Sequence, residues 1–254
     1  MGLASQSACG QKEPMPEVSN PSPDPFLKER YDQLWAQSSK RIRSGTIEID
    51  PVLAQGQPDR RRGMTLLFRP SPRVREQIAK CLEEVRQLEP DQHYYHPGEL
   101  HVTFLSLFSA SADHEAIFDR TDKFIAAVAS CVRALNPFPL SFFGITASPA
   151  AIMVQSFTDA TRLNAARDRL RDELCARGLS EGARERYRLE VAHMTALRFR
   201  HPLRNGIAFA QALEKMRNRD FGQTEIDSME LVKSDWYMSR AITQPLHVFQ
   251  LGEP

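Results

Sequence analysis

Two short stretches of the sequence combine a histidine with a threonine two residues later. They are His101-Val-Thr103 and, 92 positions further along the chain, His193-Met-Thr195. An imidazole exchanges a proton near neutral pH, and a threonine hydroxyl can donate a hydrogen bond to an anionic oxygen. Two such pairs facing one cleft would provide both the proton acceptor and the proton donor that cleavage of a phosphoester bond requires.

The similarity of the two stretches extends beyond the histidine and the threonine. Residues 95–107 and 187–199 align without a gap and share a tyrosine, the histidine, the threonine and a leucine. Successive side chains of a strand point to opposite faces, so each histidine should share a face with its threonine. The sequence therefore predicts two strands that each present one imidazole–hydroxyl pair.

A pair of H-x-[ST] motifs on strands at this separation resembles the signature of the two-histidine phosphoesterases. This superfamily includes the 2′-5′ RNA ligase-like and cyclic nucleotide phosphodiesterase proteins. The resemblance runs from about residue 63 to the C-terminus and includes residues 226–234, which are similar to the strand after the second motif. One departure is the run of residues 104–108 after the first motif, where family members often have a leucine and then a glycine-containing turn.

The resemblance implies an α+β fold with two pseudo-symmetric lobes, in which antiparallel sheets flanked by helices surround a central cleft. It also implies metal-independent and cofactor-free chemistry on 2′,3′-cyclic phosphates or on 2′-5′ linked nucleotides and RNA ends. His101 and His193 would be the acid and the base, and Thr103 and Thr195 would bind the phosphate. Which histidine is the base, and whether the chain hydrolyses or ligates, stay open.

Two other functions are compatible with the same residues. One is a binding module that keeps the fold and holds a nucleotide without turnover. The other is a zinc-dependent hydrolase, since His93, His96 and His101 are spaced H-x2-H-x4-H. Zinc is commonly bound by histidines, but no cysteine or carboxylate sits at a matching spacing nearby. Activity in the presence of a chelator would separate the zinc enzyme from the other two.

Several neighbouring residues could take part in such a site. Tyr237 could stack on a nucleobase. Tyr95 and Tyr187 share a face with their histidines, but each lies six positions along the strand from its histidine, which favours packing roles. Arg198 and Arg200 have the opposite parity from His193, which predicts a solvated or sheet-edge position. The basic run 59–62 is either plain surface or a feature that steers phosphates.

The surrounding pattern predicts the elements that must position these residues. Residues 1–23 are rich in proline and polar side chains and predict a disordered tail. Residues 24–62 form an N-terminal helix, capped by Asp24 and ending near Ser44, with an extension, and residues 63–254 form the bilobal domain. We predict strands at 63–69, 99–108, 137–146, 151–157, 187–199, 224–233 and 245–251, and helices at 73–88, 113–134, 159–177 and 205–218. By itself this order favours a mixed-sheet α/β or α+β protein.

The composition limits the class of protein. The formal net charge of +1, from 33 basic and 32 acidic residues, does not suit a protein that binds long nucleic acids through bulk charge. The four cysteines show no CxxC spacing, which favours a reducing, cytoplasmic environment. The sequence predicts neither a signal peptide nor a membrane span. The expected partner is thus a nucleotide or a short RNA, with no membrane.

Overall fold

The computed structural model describes residues 24–180 and 191–252. The predicted disordered tail at 1–23 and the predicted packing role of Tyr187 lie outside the described residues. The first described element is helix α1 (Pro25–Ser44). Its N-cap is Asp24, whose carboxylate accepts hydrogen bonds from the backbone of Phe26 and Leu27, and its C-cap is Gly45 with φ of 71°. The predicted start and end of this helix are therefore confirmed.

The remaining elements alternate strands and helices, as predicted. The strands are β1 (Arg62–Phe68), β2 (His93–Tyr94), β3 (Val102–Ser111), β4 (Phe138–Ser148), β5 (Ala151–Phe157), β6 (Ala192–Arg198), β7 (Asp220–Ile226), β8 (Ser228–Ser234) and β9 (Gln244–Gln250). The helices after α1 are α2 (Pro51–Gln55), α3 (Pro72–Arg86), α4 (Glu115–Phe118), α5 (Thr121–Val132), α6 (Ala160–Ala176) and α7 (Gly206–Lys215), with a 3₁₀ turn at Pro97–Glu99.

The strands form two antiparallel sheets. The first sheet has the order β3-β1-β8-β9 and the second has the order β2-β6-β5-β4-β7. The first sheet combines strands from the two ends of the described chain, and the second consists mainly of strands from its middle. Each sheet contains one of the two histidine–threonine stretches. The expected α+β architecture of two antiparallel sheets with flanking helices is confirmed.

One hydrophobic core extends through both sheets. Its largest cluster includes fully buried side chains from both, among them Met64, Val102, Phe142 and Met194. A smaller cluster joins α1 to the second sheet through Leu27, Tyr31, Phe157, Ala160 and Val191. Burial of apolar area is the main stabilising term, so this cluster stabilises the packing of α1 against the second sheet. Within the described residues, no helix is both long enough and apolar enough to cross a bilayer.

Three predicted elements differ from the structure. The single strand expected at 224–233 is two strands, β7 and β8, which belong to different sheets and are separated only by Asp227. The helix expected at 113–134 is interrupted between α4 and α5. The loop expected between Pro90 and Gly98 contains the short strand β2, which pairs with β6. The change of sheet at Asp227 and the pairing of β2 with β6 depend on contacts with distant strands, which local periodicity does not encode.

Candidate active site

The two histidine–threonine pairs lie at one strand of each sheet. His101 directly precedes β3, which contains Thr103, and β6 contains both His193 and Thr195. All four side chains are partly exposed, and the residue between the two members of each pair is fully buried. Each histidine therefore shares an accessible face with its threonine, as the alternation predicts.

Backbone pairing brings the chain that leads to His101 alongside the second motif. The short strand β2 pairs with the end of β6, where Tyr94 lies opposite Leu197. One residue later, the Tyr95 backbone N–H donates a hydrogen bond of 3.1 Å to the Ala196 carbonyl. Although β3 and β6 belong to different sheets, their motifs are thus linked by a short stretch of chain.

Arg167, a buried arginine of α6, forms hydrogen bonds to β3 and to the residue directly before β6. One terminal nitrogen of Arg167 lies 3.1 Å from the Thr103 carbonyl oxygen and 3.4 Å from the Val191 carbonyl oxygen. Because both oxygens lie within 3.4 Å of the same nitrogen, the backbones at Thr103 and Val191 are close to each other. His101 and His193 are also close enough for the charge of His101 to lower the pKa of His193. The structure brings the two motifs together.

Both motif strands carry a β-bulge immediately after the threonine. In β3, Leu66 and Leu67 of β1 pair with Leu105 and Thr103, which leaves Phe104 as the extra residue. In β6, the corresponding extra residue is Ala196. A bulge shifts the alternation of side chains by one position, so the residues that follow change face.

The bulge in β6 places Arg198 on the face of His193. Its Nε donates a hydrogen bond of 3.0 Å to the Tyr95 hydroxyl, and its charge lowers the pKa of both His101 and His193. Within the described part of the chain, Arg198 forms no ion pair. The predicted solvated or sheet-edge position of Arg198 is therefore wrong, because a strict alternation does not survive a bulge. Arg200 also has a hydrogen-bond partner, because its Nε donates to the Leu53 carbonyl at 3.0 Å.

His101 is oriented by the backbone just before it. Its Nδ1 lies 2.7 Å from the Glu99 carbonyl oxygen, which accepts the hydrogen bond when this nitrogen carries the proton. The other ring nitrogen, Nε2, then exchanges protons in the cleft. Burial lowers the pKa of His101 to about 4, and the charges of Arg69 and Arg198 act in the same direction against the bond to Glu99. These effects favour a neutral imidazole near neutral pH.

His193 has a different surrounding. Its Nδ1 is buried and has no hydrogen-bond partner among the described residues. Burial, together with the charges of Arg167, His101 and Arg198, lowers its pKa to about 4. Directly before His193, the Ala192 carbonyl accepts a 2.9 Å hydrogen bond from the hydroxyl of buried Tyr31 in α1. Two neutral imidazoles close to the cations of Arg167 and Arg198 form a site whose positive charge favours the binding of an anion.

The N-terminal extension and the loop after β8 form one wall beside this site. Trp236 is 36% exposed, and its ring centroid lies 5.4 Å from the Arg61 guanidinium and 5.7 Å from that of Arg198. The Asp59 carboxylate binds Arg61 and also accepts a hydrogen bond from the Trp236 backbone. Asp59 and Arg61 of the predicted basic run are thus paired with each other, and a role in steering stays a prediction.

Tyr237 lies next to this wall but is only 4% exposed. Its hydroxyl donates a 2.7 Å hydrogen bond to Asp50, and its ring lies 5.7 Å from that of His93. Burial, followed by the neighbouring Asp50, raises the pKa of the Tyr237 hydroxyl. Stacking of a base on Tyr237 would require the ring to become accessible, and this role stays a prediction. The exposed aromatic side chain in this wall is Trp236.

The three histidines that the zinc hypothesis requires have separate surroundings and do not share a common ligand position. Nδ1 of His96 accepts a hydrogen bond of 3.0 Å from the Gly98 backbone, and Nδ1 of His101 faces the Glu99 carbonyl. Nε2 of His93 is buried and has no partner in the described ranges. Within residues 24–180 and 191–252, no group of three histidine, cysteine, aspartate or glutamate side chains is arranged to hold a metal ion.

Sequence reasoning missed two residues that hold the site, Arg167 and Tyr31. Arg167 carries a detectable signal, because it occupies a position in the apolar stripe of α6 where its neighbours at helical spacing are Leu163, Leu170 and Leu174. A charged residue within such a stripe indicates a buried polar contact. Tyr31 carries no comparable signal, since its hydroxyl bonds residues more than a hundred positions away.

Comparison with known proteins adds independent findings. A family model described as the 2′-5′ RNA ligase superfamily matches residues 70–236. The structure is similar to that of TT0787 of Thermus thermophilus, with a TM-score of 0.54 and 16% identity over 75% of this chain and 98% of that chain. It is also similar to a structure described as a phosphoesterase, with a TM-score of 0.52 and 14% identity over 77% of this chain and 100% of the other.

Escherichia coli LigT in its apo form gives a TM-score of 0.49 and 17% identity over 77% of this chain and 100% of that chain. A search of curated protein sequences gave no match. At these identities the structural likenesses concern the fold, whereas the family model covers most of the chain, including both histidine–threonine pairs. The chain belongs to the 2′-5′ RNA ligase superfamily of two-histidine phosphoesterases.

Proposed function

We propose that the chain is a metal-independent phosphodiesterase that acts on 2′,3′-cyclic phosphates or on 2′-5′ linked nucleotides and RNA ends. The observation that carries this proposal is the meeting of two histidine–threonine pairs beside the cation of Arg198. Membership in the superfamily supports the class of reaction, and the residues of the site support the division of roles.

The phosphate would be bound between the two strands. The hydroxyls of Thr103 and Thr195 donate hydrogen bonds to its non-bridging oxygens, and Arg198 adds a charge-assisted bond. A bound negative charge favours the protonated form of an adjacent imidazole, which offsets the low pKa of about 4 that burial gives both histidines. Substrate binding therefore provides one histidine with the proton that it later donates.

The reaction needs one proton taken and one proton given. For a cyclic phosphate, the neutral histidine removes a proton from water, and the water oxygen forms a bond to phosphorus. The bond between phosphorus and one ribose oxygen breaks, and the protonated histidine gives its proton to that oxygen. The two imidazoles then exchange protons with solvent to restore the starting state. Attack by a ribose hydroxyl on the cyclic phosphate in place of water joins two nucleotides, so the same site supports ligation.

The first test measures turnover of 2′,3′-cyclic nucleotides and 2′-5′ dinucleotides in the presence of EDTA. His101→Ala and His193→Ala should each lower kcat/KM on the order of 10²–10⁴-fold, because each removes one proton-transfer group. The matched control is His247→Ala, an exposed histidine on β9 outside the site, which should keep wild-type activity.

Three other outcomes of this experiment would contradict the proposal or favour a different function. Near-full activity in either alanine variant would contradict the shared acid–base site. Binding of nucleotides without turnover by the wild-type chain would favour the non-catalytic binding module. Activity that disappears with EDTA and returns with added zinc would favour the zinc-dependent hydrolase.

A further inference from the structure

Arg167 is a charged side chain at the centre of the molecule. It is 0% exposed and the largest of the fully buried side chains among the described residues. Transfer of a cation into the interior costs several kcal/mol unless its N–H groups find acceptors. The acceptors that Arg167 has found are backbone carbonyls next to the two motifs.

The first set of contacts is with β3 at its bulge. Nε of Arg167 donates to the Phe104 carbonyl at 2.9 Å, and a terminal nitrogen donates to the Thr103 carbonyl at 3.1 Å. A bulge disrupts the regular ladder of strand hydrogen bonds, so its carbonyls need other donors. The planar guanidinium, which also lies 5.9 Å from the Phe104 ring, supplies two of them.

The second contact is with the chain entering β6. The nitrogen that binds the Thr103 carbonyl also lies 3.4 Å from the Val191 carbonyl, two residues before His193. The other terminal nitrogen donates to the Asn164 side chain at 3.1 Å, one helical turn earlier in α6. The helix therefore orients the guanidinium, and the guanidinium contacts β3 and the residue directly before β6 at once.

We propose that Arg167 is a positioning residue that sets the separation of the two histidine–threonine pairs, an inference that rests on the proposed function of this site. It acts through the backbone of β3 and β6 and does not touch the substrate. Geometry has a large effect on such reactions, since a displacement of 1 Å can lower a rate on the order of 10²-fold. A single planar group that bonds both strands is suited to fix that geometry.

The charge of Arg167 gives the proposal a second readout. The charged groups that face His193 are Arg167 from α6, His101 from the start of β3, and Arg198 from its own strand. Among these three charged groups, Arg167 has the largest effect on the pKa of His193, which it lowers. Removal of the guanidinium should therefore raise this pKa. Because burial is the largest cause of the low pKa, looser packing would raise it as well, so the effect of the charge is read from the difference between Arg167→Met and the charge-keeping Arg167→Lys.

The test compares Arg167→Lys with Arg167→Met. Lysine keeps the charge but cannot reproduce the planar fork, so Arg167→Lys should lower kcat on the order of 10²-fold with a smaller change in KM. Methionine also removes the charge, so Arg167→Met should additionally shift the acid limb of the pH–rate profile to higher pH. Arg169→Met, at an exposed arginine of the same helix, should match wild type in both measurements.

Two results would overturn the proposal. One is a folded Arg167→Lys variant with wild-type kcat. The other is an Arg167→Lys variant that does not fold, as judged by its thermal unfolding, because Arg167 would then be needed for the fold as a whole and not for the spacing of the site.

The proposal can be separated from the proposed function. If the wild-type chain shows no turnover, the function fails, and the role of Arg167 is read from NMR titration of the His193 ring and from binding of inorganic phosphate. Arg167→Met should raise the pKa of His193 in that experiment, and Arg167→Lys should leave it near the wild-type value but weaken phosphate binding. An unchanged titration in Arg167→Met together with unchanged phosphate binding in Arg167→Lys would reject the positioning role.

Discussion

At the scale of single residues, the candidate site combines half-buried imidazoles with nearby cations. Burial and the charge of Arg198 lower the pKa of His101 and His193 to about 4 each, well below the ordinary value near 6.5. Without an anion, both rings stay neutral at neutral pH. A bound phosphate changes this balance because it adds the missing negative charge. The protonation state of the site is therefore coupled to whether it is occupied.

The same low pKa values make the stability of the protein depend on pH. Between pH 4 and 6.5 the unfolded chain binds more protons at these histidines than the folded chain, so stability rises with pH in that window. The free energy of unfolding should be fully developed above pH 6.5 and should fall on the order of 1–3 kcal/mol per histidine as the pH decreases toward 4. Urea unfolding at a series of pH values measures this change.

Matched variants assign the change to the two histidines. The double variant His101→Gln/His193→Gln should lose the share of the pH dependence that these two rings contribute, and a smaller share should remain from His93, whose pKa burial also lowers. His247→Gln should retain the full dependence. A double variant with the same slope as the wild type would show that other groups are responsible.

At the scale of elements, the two bulges decide which side chains enter the site. Each motif has two successive apolar residues after its threonine, Phe104-Leu105 and Ala196-Leu197, and all four are buried. Two successive buried residues in a strand are incompatible with strict alternation, so this doublet was a visible sign of a bulge. The alternation correctly placed the histidines and threonines, which precede the bulge, but failed for Arg198, which follows it.

Other features of the site could not be predicted from local sequence. The pairing of β2 with β6 and the contacts of Arg167 and Tyr31 join segments that are distant in the chain. Such contacts are set by the packing of whole elements, which periodicity and turn signals do not encode. The boundary at Asp227 is a similar case, because the chain enters a different sheet without a glycine or proline to mark the change.

The hydrogen bonds of the Tyr31 hydroxyl, which join α1 to β5 and β6, can be tested by mutation. The buried Tyr31 hydroxyl bonds the Ser156 carbonyl at 3.1 Å and the Ala192 carbonyl at 2.9 Å. Tyr31→Phe removes this hydroxyl and leaves buried backbone groups with fewer partners, so it should lower the free energy of unfolding by about 1–3 kcal/mol. Urea unfolding measures the loss. Gln37→Ala, at an exposed position of the same helix, should change stability little, and an equal loss in both variants would contradict the assigned role of the hydroxyl.

At the scale of the whole molecule, the N-terminal helix completes the fold of a domain whose family match begins only at residue 70. Helix α1 buries Leu27, Tyr31, Trp35, Ser38 and Ile42 against the rest of the chain. Its last turn is in close contact with Gly206 at the start of α7, where a side chain would collide with the Ile42 carbonyl. We propose that residues 24–62 are a part of the folded unit and not a separate appendage.

Truncation tests this proposal. A chain that begins at residue 45 loses the four large apolar side chains that α1 buries, each of which contributes about 1.5–3 kcal/mol. Their sum is comparable to the typical total stability of a domain, about 5–15 kcal/mol, so this chain should show no cooperative thermal unfolding. A chain that begins at residue 24 keeps every contact of α1 described above and should unfold cooperatively. A cooperative transition at the wild-type temperature for the shorter chain would refute the proposal.

The order of strands in the first sheet has a consequence for synthesis on the ribosome. β1 is flanked by β3 on one side and by β8 on the other, and β8 is made about 160 residues after β1. Until β8 emerges, the growing chain carries an unpaired edge of the apolar strand β1, which favours association between chains. The sheet that carries β3 is therefore incomplete until β8 has been synthesised, and a product that stops before Ser228 is expected to aggregate.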